Sequence, residues 1–202
     1  PDEAQYHRRF VEAILRSGRF RGDPADPLSG LAMGLHALGT LAAAWGGVDA
    51  LRPLSLLLGL AGLLAGHRVV RRAFGDAAGW IYVPVVCGAA GLLRALPTMN
   101  SDLPLALFLG AATLLVLEWL QAPEDAGPRP WLLGVLGGTA LSIKYTAPLF
   151  FAPLYLAAGA TLLAAPPGPA RARAIRSLLG AALLPALFAV PWLLRNYLVF
   201  GN

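Results

Sequence analysis

The chain has 202 residues, of which 57% are hydrophobic and only 13% are charged, and its mean hydropathy is +0.62. Soluble domains usually carry about 25% charged residues, so this composition excludes an ordinary soluble domain. The net charge of +5 comes from 16 lysines and arginines, and in a membrane protein such charge orients loops rather than binding nucleic acid. The single cysteine, Cys87, lies in an apolar run, which excludes a disulfide framework.

Several apolar runs approach the ~20 residues that a membrane-spanning helix needs, and the short alternating segments of a barrel are missing. We therefore expect an all-α fold, a polytopic transmembrane helical bundle. The sequence has no initiator Met and no signal-peptide pattern, and it stops just after an apolar run. We expect a fragment of a longer protein.

The first 50 residues differ from the rest in being richer in charged residues and Gly. Residues 4–17 carry an apolar stripe at i, i+4 spacing opposite arginines, which predicts an amphipathic helix along the membrane surface. Residues 18–27 contain two X-Pro steps and predict a loop. The run 28–45 has Gly and Ala in place of most leucines, so it inserts poorly and is predicted to be a juxtamembrane or shallow re-entrant helix. Its His36 is expected to be packed or hydrogen-bonded rather than a ligand.

Residues 51–202 are predicted to form the transmembrane bundle, with residues 1–50 as its first external loop. Two arginine-rich loops, at 68–72 and 171–176, are expected to be cytoplasmic, and the four apolar runs between them are an even number, as this requires. The breaks at 97–102 and 144–146 and the end at 195–202 are then external. The six predicted spans are 51–67, 77–96, 103–120, 131–144, 146–164 and 177–194.

Polar residues at the external side are candidates for chemistry. Snorkelling and helix-end hydration explain most residues of this kind. Lys144, however, is the only lysine and lies between two apolar runs, which makes it a functional candidate. Asp2 and Glu3 are adjacent carboxylates that can accept a proton from an attacking hydroxyl or amine, although an acidic helix start explains them without chemistry. The remaining external candidates are Asn100, Asp102, Tyr145, Arg195 and Asn196.

Four segments resemble, in order, motifs of the GT-C superfamily of polyprenyl-phosphate-dependent membrane glycosyltransferases, which includes protein O-mannosyltransferases and aminoarabinose transferases. Residues 2–7 resemble the acidic motif of the first external loop, and residues 100–104 resemble the second acidic motif. Residues 138–146 resemble the Gly…Lys-Tyr-Thr helix of one bacterial branch. Residues 191–196 with the final Gly-Asn resemble the segment that leads into the large external loop. One difference is that the loop 18–30 lacks the aromatic-rich segment common in the family.

The resemblance implies a glycosyltransferase of the bacterial inner membrane whose active site is extracytoplasmic. A sugar would pass from a polyprenyl-phosphate donor to an acceptor, with inversion at the anomeric carbon. Asp2 would be the general base, Glu3 would be its neighbour or a metal or acceptor contact, and Asp102 would complete the acidic side of the cavity. Lys144 and Arg195 would neutralise the leaving phosphate. Further substrate contacts are implied for Tyr6, His7, Asn100 and Tyr145.

The implied partners are the lipid-linked donor, a lipid, glycan or protein acceptor, and membrane lipids, with no nucleic acid. Members of the family differ in their need for a divalent metal, so no cofactor is assigned. Two other classes of protein compete with this interpretation. A transporter would need charged or broken helices near the bilayer midplane and usually an internal repeat. A non-catalytic membrane assembly subunit would explain the hydrophobicity but not the clustered external polar residues.

Overall fold

The computed structural model of the chain describes residues 7–20, 34–89, 101–121 and 129–201. Within these ranges the secondary structure is helical and contains no β-strand, which confirms the all-α fold class. The α-helices are α1 (Arg8–Ser17), α2 (Gly34–Gly46), α3 (Leu51–Phe74), α4 (Asp76–Cys87), α5 (Asp102–Gln121), α6 (Arg129–Ile143), α7 (Ala147–Ala164) and α8 (Pro169–Phe200). A 3₁₀ turn, Val48–Ala50, leads directly into α3.

Among the described helices, four are long and apolar enough to cross a membrane, and they make this an integral membrane protein. They are α3 together with its preceding turn, α5, α7 and α8. The helices α4 and α6 are apolar but shorter, with 12 and 15 residues. The count of six spans therefore stays a prediction.

Both arginine-rich segments are helical, so the loops predicted for them are wrong. Arg68, Arg71 and Arg72 lie in the last turns of α3, which ends at Phe74. Arg171, Arg173 and Arg176 lie in the first turns of α8, which begins at Pro169. Proline suits the first turn of a helix because its missing N–H needs no partner there, and Ala and Arg are good helix formers. The resulting helix has 32 residues, or about 48 Å of length, more than a ~30 Å hydrocarbon core requires.

Close contacts at glycines reveal that α3 and α5 run parallel. A methyl group added at Gly62 would lie 3.3 Å from the backbone nitrogen of Leu107, and one at Gly110 would lie 3.0 Å from the Ala65 Cβ. Residue numbers thus increase together along both helices. The absence of a side chain at each glycine allows the helix backbones to approach closely, which is how many membrane helices associate.

The helices α6 and α8 are parallel as well. A methyl group at Gly134 would lie 2.5 Å from the Ala181 carbonyl oxygen, and one at Gly138 would lie 2.5 Å from Phe188 Cδ2. The helix α7 runs in the opposite direction. Tyr145, just before its start, meets Asn196 near the end of α8, whereas a methyl group at Gly159, near the end of α7, would lie 3.8 Å from Leu178 in the first half of α8. The main apolar core lies among α5, α6, α7 and the first half of α8.

The directions of the helices group their ends into two sets. The ion pair between Asp102 and Lys144 joins the start of α5 to the end of α6, so α5 and α6 are antiparallel. The end of the bundle that holds Asp102, Lys144 and Arg195 is called the site end here. The opposite end, called the arginine end, holds both arginine groups. This grouping agrees with the even number of spans counted from the sequence.

The two short helices, α1 and α2, pack on the site end of the bundle. Val11 of α1 and Leu35 of α2 are buried in one cluster with Leu51, at the start of α3, and Ile143, at the end of α6. Arginines of α1 remain at the surface of this cap, in keeping with its amphipathic sequence. The position of α2 relative to a membrane stays a prediction.

We expect the Gly34→Ala variant to be less stable than the wild type. A methyl group at Gly34 would lie 2.5 Å from Ser142 Oγ and 2.6 Å from the Ser142 carbonyl oxygen, so α2 must move away from α6. Overpacking of this kind costs about 1–3 kcal/mol. The measurement is the melting temperature in detergent.

Gly159→Ala in α7 is the matched control. The added methyl group would lie 3.8 Å from Leu178 Cδ2, an ordinary contact, and alanine is the better helix former. This variant should melt at the wild-type temperature or above. Equal melting temperatures for the two variants would show that α2 does not pack against Ser142.

Candidate functional site

The only lysine is held by an acid from another helix. The Lys144 ammonium forms an ion pair with Asp102, across the ends of α6 and α5. Asp102 occupies the first turn of α5, where the helix dipole favours a carboxylate. Because 64% of the Asp102 side chain and 36% of the Lys144 side chain are exposed, both charges remain accessible to a ligand.

A tight turn brings the start of α7 to the same place. The α6 helix ends at Ile143, and the Ala147 backbone nitrogen donates to the Lys144 carbonyl oxygen at 3.0 Å. Pro148 lies in the first turn of α7, a position that proline favours. The three residues of the turn therefore present Lys144 and Tyr145 together at the site end.

The end of α8 contributes the second cation. Asn196 Nδ2 donates to the Tyr145 hydroxyl at 3.3 Å, and its Oδ1 accepts hydrogen bonds from Arg195 Nε at 3.2 Å and Nη2 at 2.8 Å. The Arg195 guanidinium also lies 5.9 Å from the centre of the Trp192 ring, one turn earlier. These contacts link the Lys144–Tyr145 turn to Arg195 and restrain the guanidinium.

A pair of histidines lies under the cap formed by α1 and α2. His7 Nδ1 and His36 Nε2 are 3.1 Å apart and share a hydrogen bond, and the two rings stack with centroids 5.0 Å apart. His36 is 1% exposed, and the Phe10 ring meets it edge-on. The expectation that His36 is packed and hydrogen-bonded is confirmed.

Electrostatics connects the histidine pair to the cation on α8. Burial, followed by the charges of His7 and Arg195, lowers the pKa of His36 from 6.5 to about 3. His36 is therefore neutral at physiological pH and can accept or donate a hydrogen bond without carrying charge.

The structure brings together six of the residues named from the sequence. Four other residues, Asp2, Glu3, Tyr6 and Asn100, lie outside the described residues, and their roles stay predictions. The residues gathered at the site end are His7, Asp102, Lys144, Tyr145, Arg195 and Asn196. Within the described ranges, no three His, Cys, Asp or Glu side chains form a group that could hold a metal ion.

Two residues of this region were not selected by sequence reasoning. His36 was set aside as a packing residue, yet it joins His7 to the surroundings of Arg195. Trp192 stacks on Arg195 and meets Phe20 edge-on at 6.0 Å. Its spacing of three residues from Arg195 was the available signal, because residues at i and i+3 share a helix face.

Comparison of the chain with protein-family models, with curated protein sequences and with solved structures finds no match.

Proposed function

We propose that the protein is a membrane glycosyltransferase of the GT-C type that uses a polyprenyl-phosphate sugar as its donor. The main support for this proposal is that Asp102, Lys144 and Arg195 lie at the same end of the bundle. They come from three segments, far apart in sequence, that resemble motifs of that superfamily. The contacts of the Lys144–Tyr145 turn with α5 and α8 support the grouping.

The chemistry that these side chains offer is the stabilisation of a leaving phosphate. In the reaction, the bond between the anomeric carbon and the phosphate oxygen breaks, and the electron pair leaves with polyprenyl phosphate. Lys144 and Arg195 would stabilise the negative charge that develops on that oxygen. Asp102 would hold the Lys144 ammonium in place until the phosphate arrives. Arg195 is suited to phosphate because its guanidinium offers paired donors.

The acceptor side of the reaction is assigned to the start of the chain. An acceptor hydroxyl or amine would attack the anomeric carbon from the face opposite to the phosphate, which inverts the configuration. Its proton would pass to the Asp2 carboxylate, with Glu3 beside it. His7 anchors this segment, because its ring is buried against His36 on α2.

A transporter is less consistent with where the charges lie. The ionisable groups of the described site belong to helix ends and to the turn between α6 and α7. Alternating access generally uses charged or broken helices near the bilayer midplane. Although α8 contains Pro185 and Pro191, it continues as one helix from Pro169 to Phe200.

The experiment is a binding test with polyprenyl phosphate, the product of the proposed reaction. At a 100-fold excess over Kd, a ligand of the folded protein stabilises it by about 2.7 kcal/mol, which raises the melting temperature by about 5–11 °C in a chain of this size. We expect that shift for the purified protein in detergent and its loss in Arg195→Gln. A polyprenol without phosphate is the control ligand, and an equal shift with both lipids would contradict a phosphate site.

A further inference from the structure

A cavity lies at the arginine end, away from the residues of the proposed transferase site. Its volume is about 590 Å³. It is open to the outside and lies among the end of α3, the start of α4 and the last turns of α5. Its lining residues are Arg68, Arg71, Arg72, Asp76, Leu114 and Glu118. Residues 68, 71 and 72 share one face of α3, because they are spaced by three and four positions.

The charges in this cavity favour an anion. Three arginines against two carboxylates leave one net positive charge. Arg71 Nε donates to Asp76 Oδ1 at 2.5 Å, and Arg72 donates to the Gln121 side-chain oxygen. Arg68 has no hydrogen-bond or ion-pair partner in the part of the chain that the structure describes. A guanidinium in this situation offers paired N–H donors that match the oxygens of a phosphate.

The wall of the cavity formed by α3 and α4 is tightly packed. His67 Nδ1 donates to the Gly79 carbonyl oxygen at 2.7 Å. A methyl group at Gly79 would lie 2.8 Å from Arg71 Cβ and 3.1 Å from His67 Cε1, so the two helices are in close contact there. The backbone that carries the arginines is therefore fixed before any ligand binds, which lowers the entropic cost of binding.

A row of exposed leucines leads along α3 to Arg68. Leu57, Leu60 and Leu64 are 65%, 42% and 63% exposed. Their spacing of three and four residues continues to Arg68, so all four side chains share one stripe of the helix. A lipid whose phosphate is held by Arg68 can lay an acyl chain along these leucines. A free phosphate ion would make no use of them.

We propose that this cavity binds the phosphate headgroup of an anionic membrane phospholipid. Arg68 is the principal ligand, and Arg71 and Arg72 contribute positive charge at the rim. Basic pockets between membrane helices are suited to anionic headgroups. The bound lipid would link α3, α4 and α5 at the arginine end. This inference does not depend on the proposed transferase activity.

The test uses the whole protein in a neutral detergent, with phosphatidylglycerol as the probe and native mass spectrometry as the measurement. We expect one retained phosphatidylglycerol and a roughly tenfold weaker affinity in Arg68→Gln, because a charge-assisted contact is lost. Arg173→Gln in α8 is the matched control: it is an exposed arginine at the same end and loses the same charge. Its affinity should stay within about twofold of the wild type.

Two results would overturn the proposal. Equal weakening in Arg68→Gln and Arg173→Gln would mean that the lipid responds to the general charge of this end and not to the cavity. Displacement of phosphatidylglycerol by millimolar inorganic phosphate would identify a site for a soluble phosphate. Retention of the lipid under that competition, with the loss confined to Arg68→Gln, supports the lipid site. Stabilisation by polyprenyl phosphate should be unchanged in Arg68→Gln, which separates this site from the transferase.

Discussion

The Lys144→Ala variant is expected to lose about 100-fold or more of its sugar-transfer rate, the usual cost of removing one group that stabilises developing charge. Lys144 supplies a positive charge at the junction of α6 and α7, and its ammonium is held by Asp102. Without it, the site would lose one of its two cations while the Asp102 carboxylate, which repels a phosphate, would remain. The measurement is the rate of release of polyprenyl phosphate by membranes that contain the protein.

Lys144→Arg is the matched control for this result. It keeps the positive charge beside Asp102 and should retain a larger part of the activity than the alanine variant. The melting temperatures of both variants establish whether they fold, since the exposed ion pair should contribute at most about 1 kcal/mol to stability. A folded Lys144→Ala protein with normal donor use would show that Lys144 only extends toward the membrane surface.

The second large effect is expected for Asp2→Asn. If the Asp2 carboxylate takes the proton of the acceptor, its conversion to an amide should slow transfer by about 100- to 10,000-fold, the contribution of a general base. Binding of polyprenyl phosphate should not change, because the cations that hold the phosphate are intact. Transfer is measured in membranes with matched amounts of protein.

Glu3→Gln is the neighbouring control for the base. It removes one negative charge from the same segment but leaves the Asp2 carboxylate in place, so its loss of activity should be smaller. Transfer by Asp2→Asn within a few-fold of the wild type would remove Asp2 from the role of base. An acidic helix start would then be the better explanation of the two carboxylates.

The arrangement of the long helices could be predicted from the sequence because the membrane simplifies the problem. Backbone groups in a bilayer must be hydrogen-bonded within helices, so long apolar runs predict helices with high specificity. Consecutive spans joined by short connections run in opposite directions, so Asp102 at the start of one helix and Lys144 at the end of the next lie at the same end of the bundle. Their ion pair is the structural consequence of that alternation.

The cap at the site end could not be predicted in the same way. The contact between His7 and His36 joins residues 29 positions apart and depends on how α1 packs against α2. The packing of α2 against α6 depends in turn on the close approach of Gly34 to Ser142. Neither contact leaves a periodic pattern in the sequence.

Local composition also misled the prediction for the start of α8. Several prolines followed by arginines suggested a loop, but Pro169 begins a helix that includes all three arginines. The N–H groups in the first turn of a helix have no partner within the helix. Proline has no N–H group, so it can occupy this turn without leaving a donor unpaired. Pro185 and Pro191 do not end this helix either. Prolines are tolerated inside membrane helices because neighbouring helices and polar side chains can satisfy the freed backbone groups.

The most direct test of the proposed function follows a radiolabelled sugar from its polyprenyl-phosphate donor in membranes that contain the protein and cellular acceptors. The account predicts that the label leaves the donor, that polyprenyl phosphate is released in equal amount, and that the label appears in an acceptor. Lys144→Ala and Asp2→Asn should each slow this transfer by about 100-fold or more, whereas Arg68→Gln should leave it unchanged. Label that crosses the membrane with its carrier unchanged would identify a transporter. Label that stays on every lipid-linked donor, at the level of membranes without the protein, would contradict the glycosyltransferase.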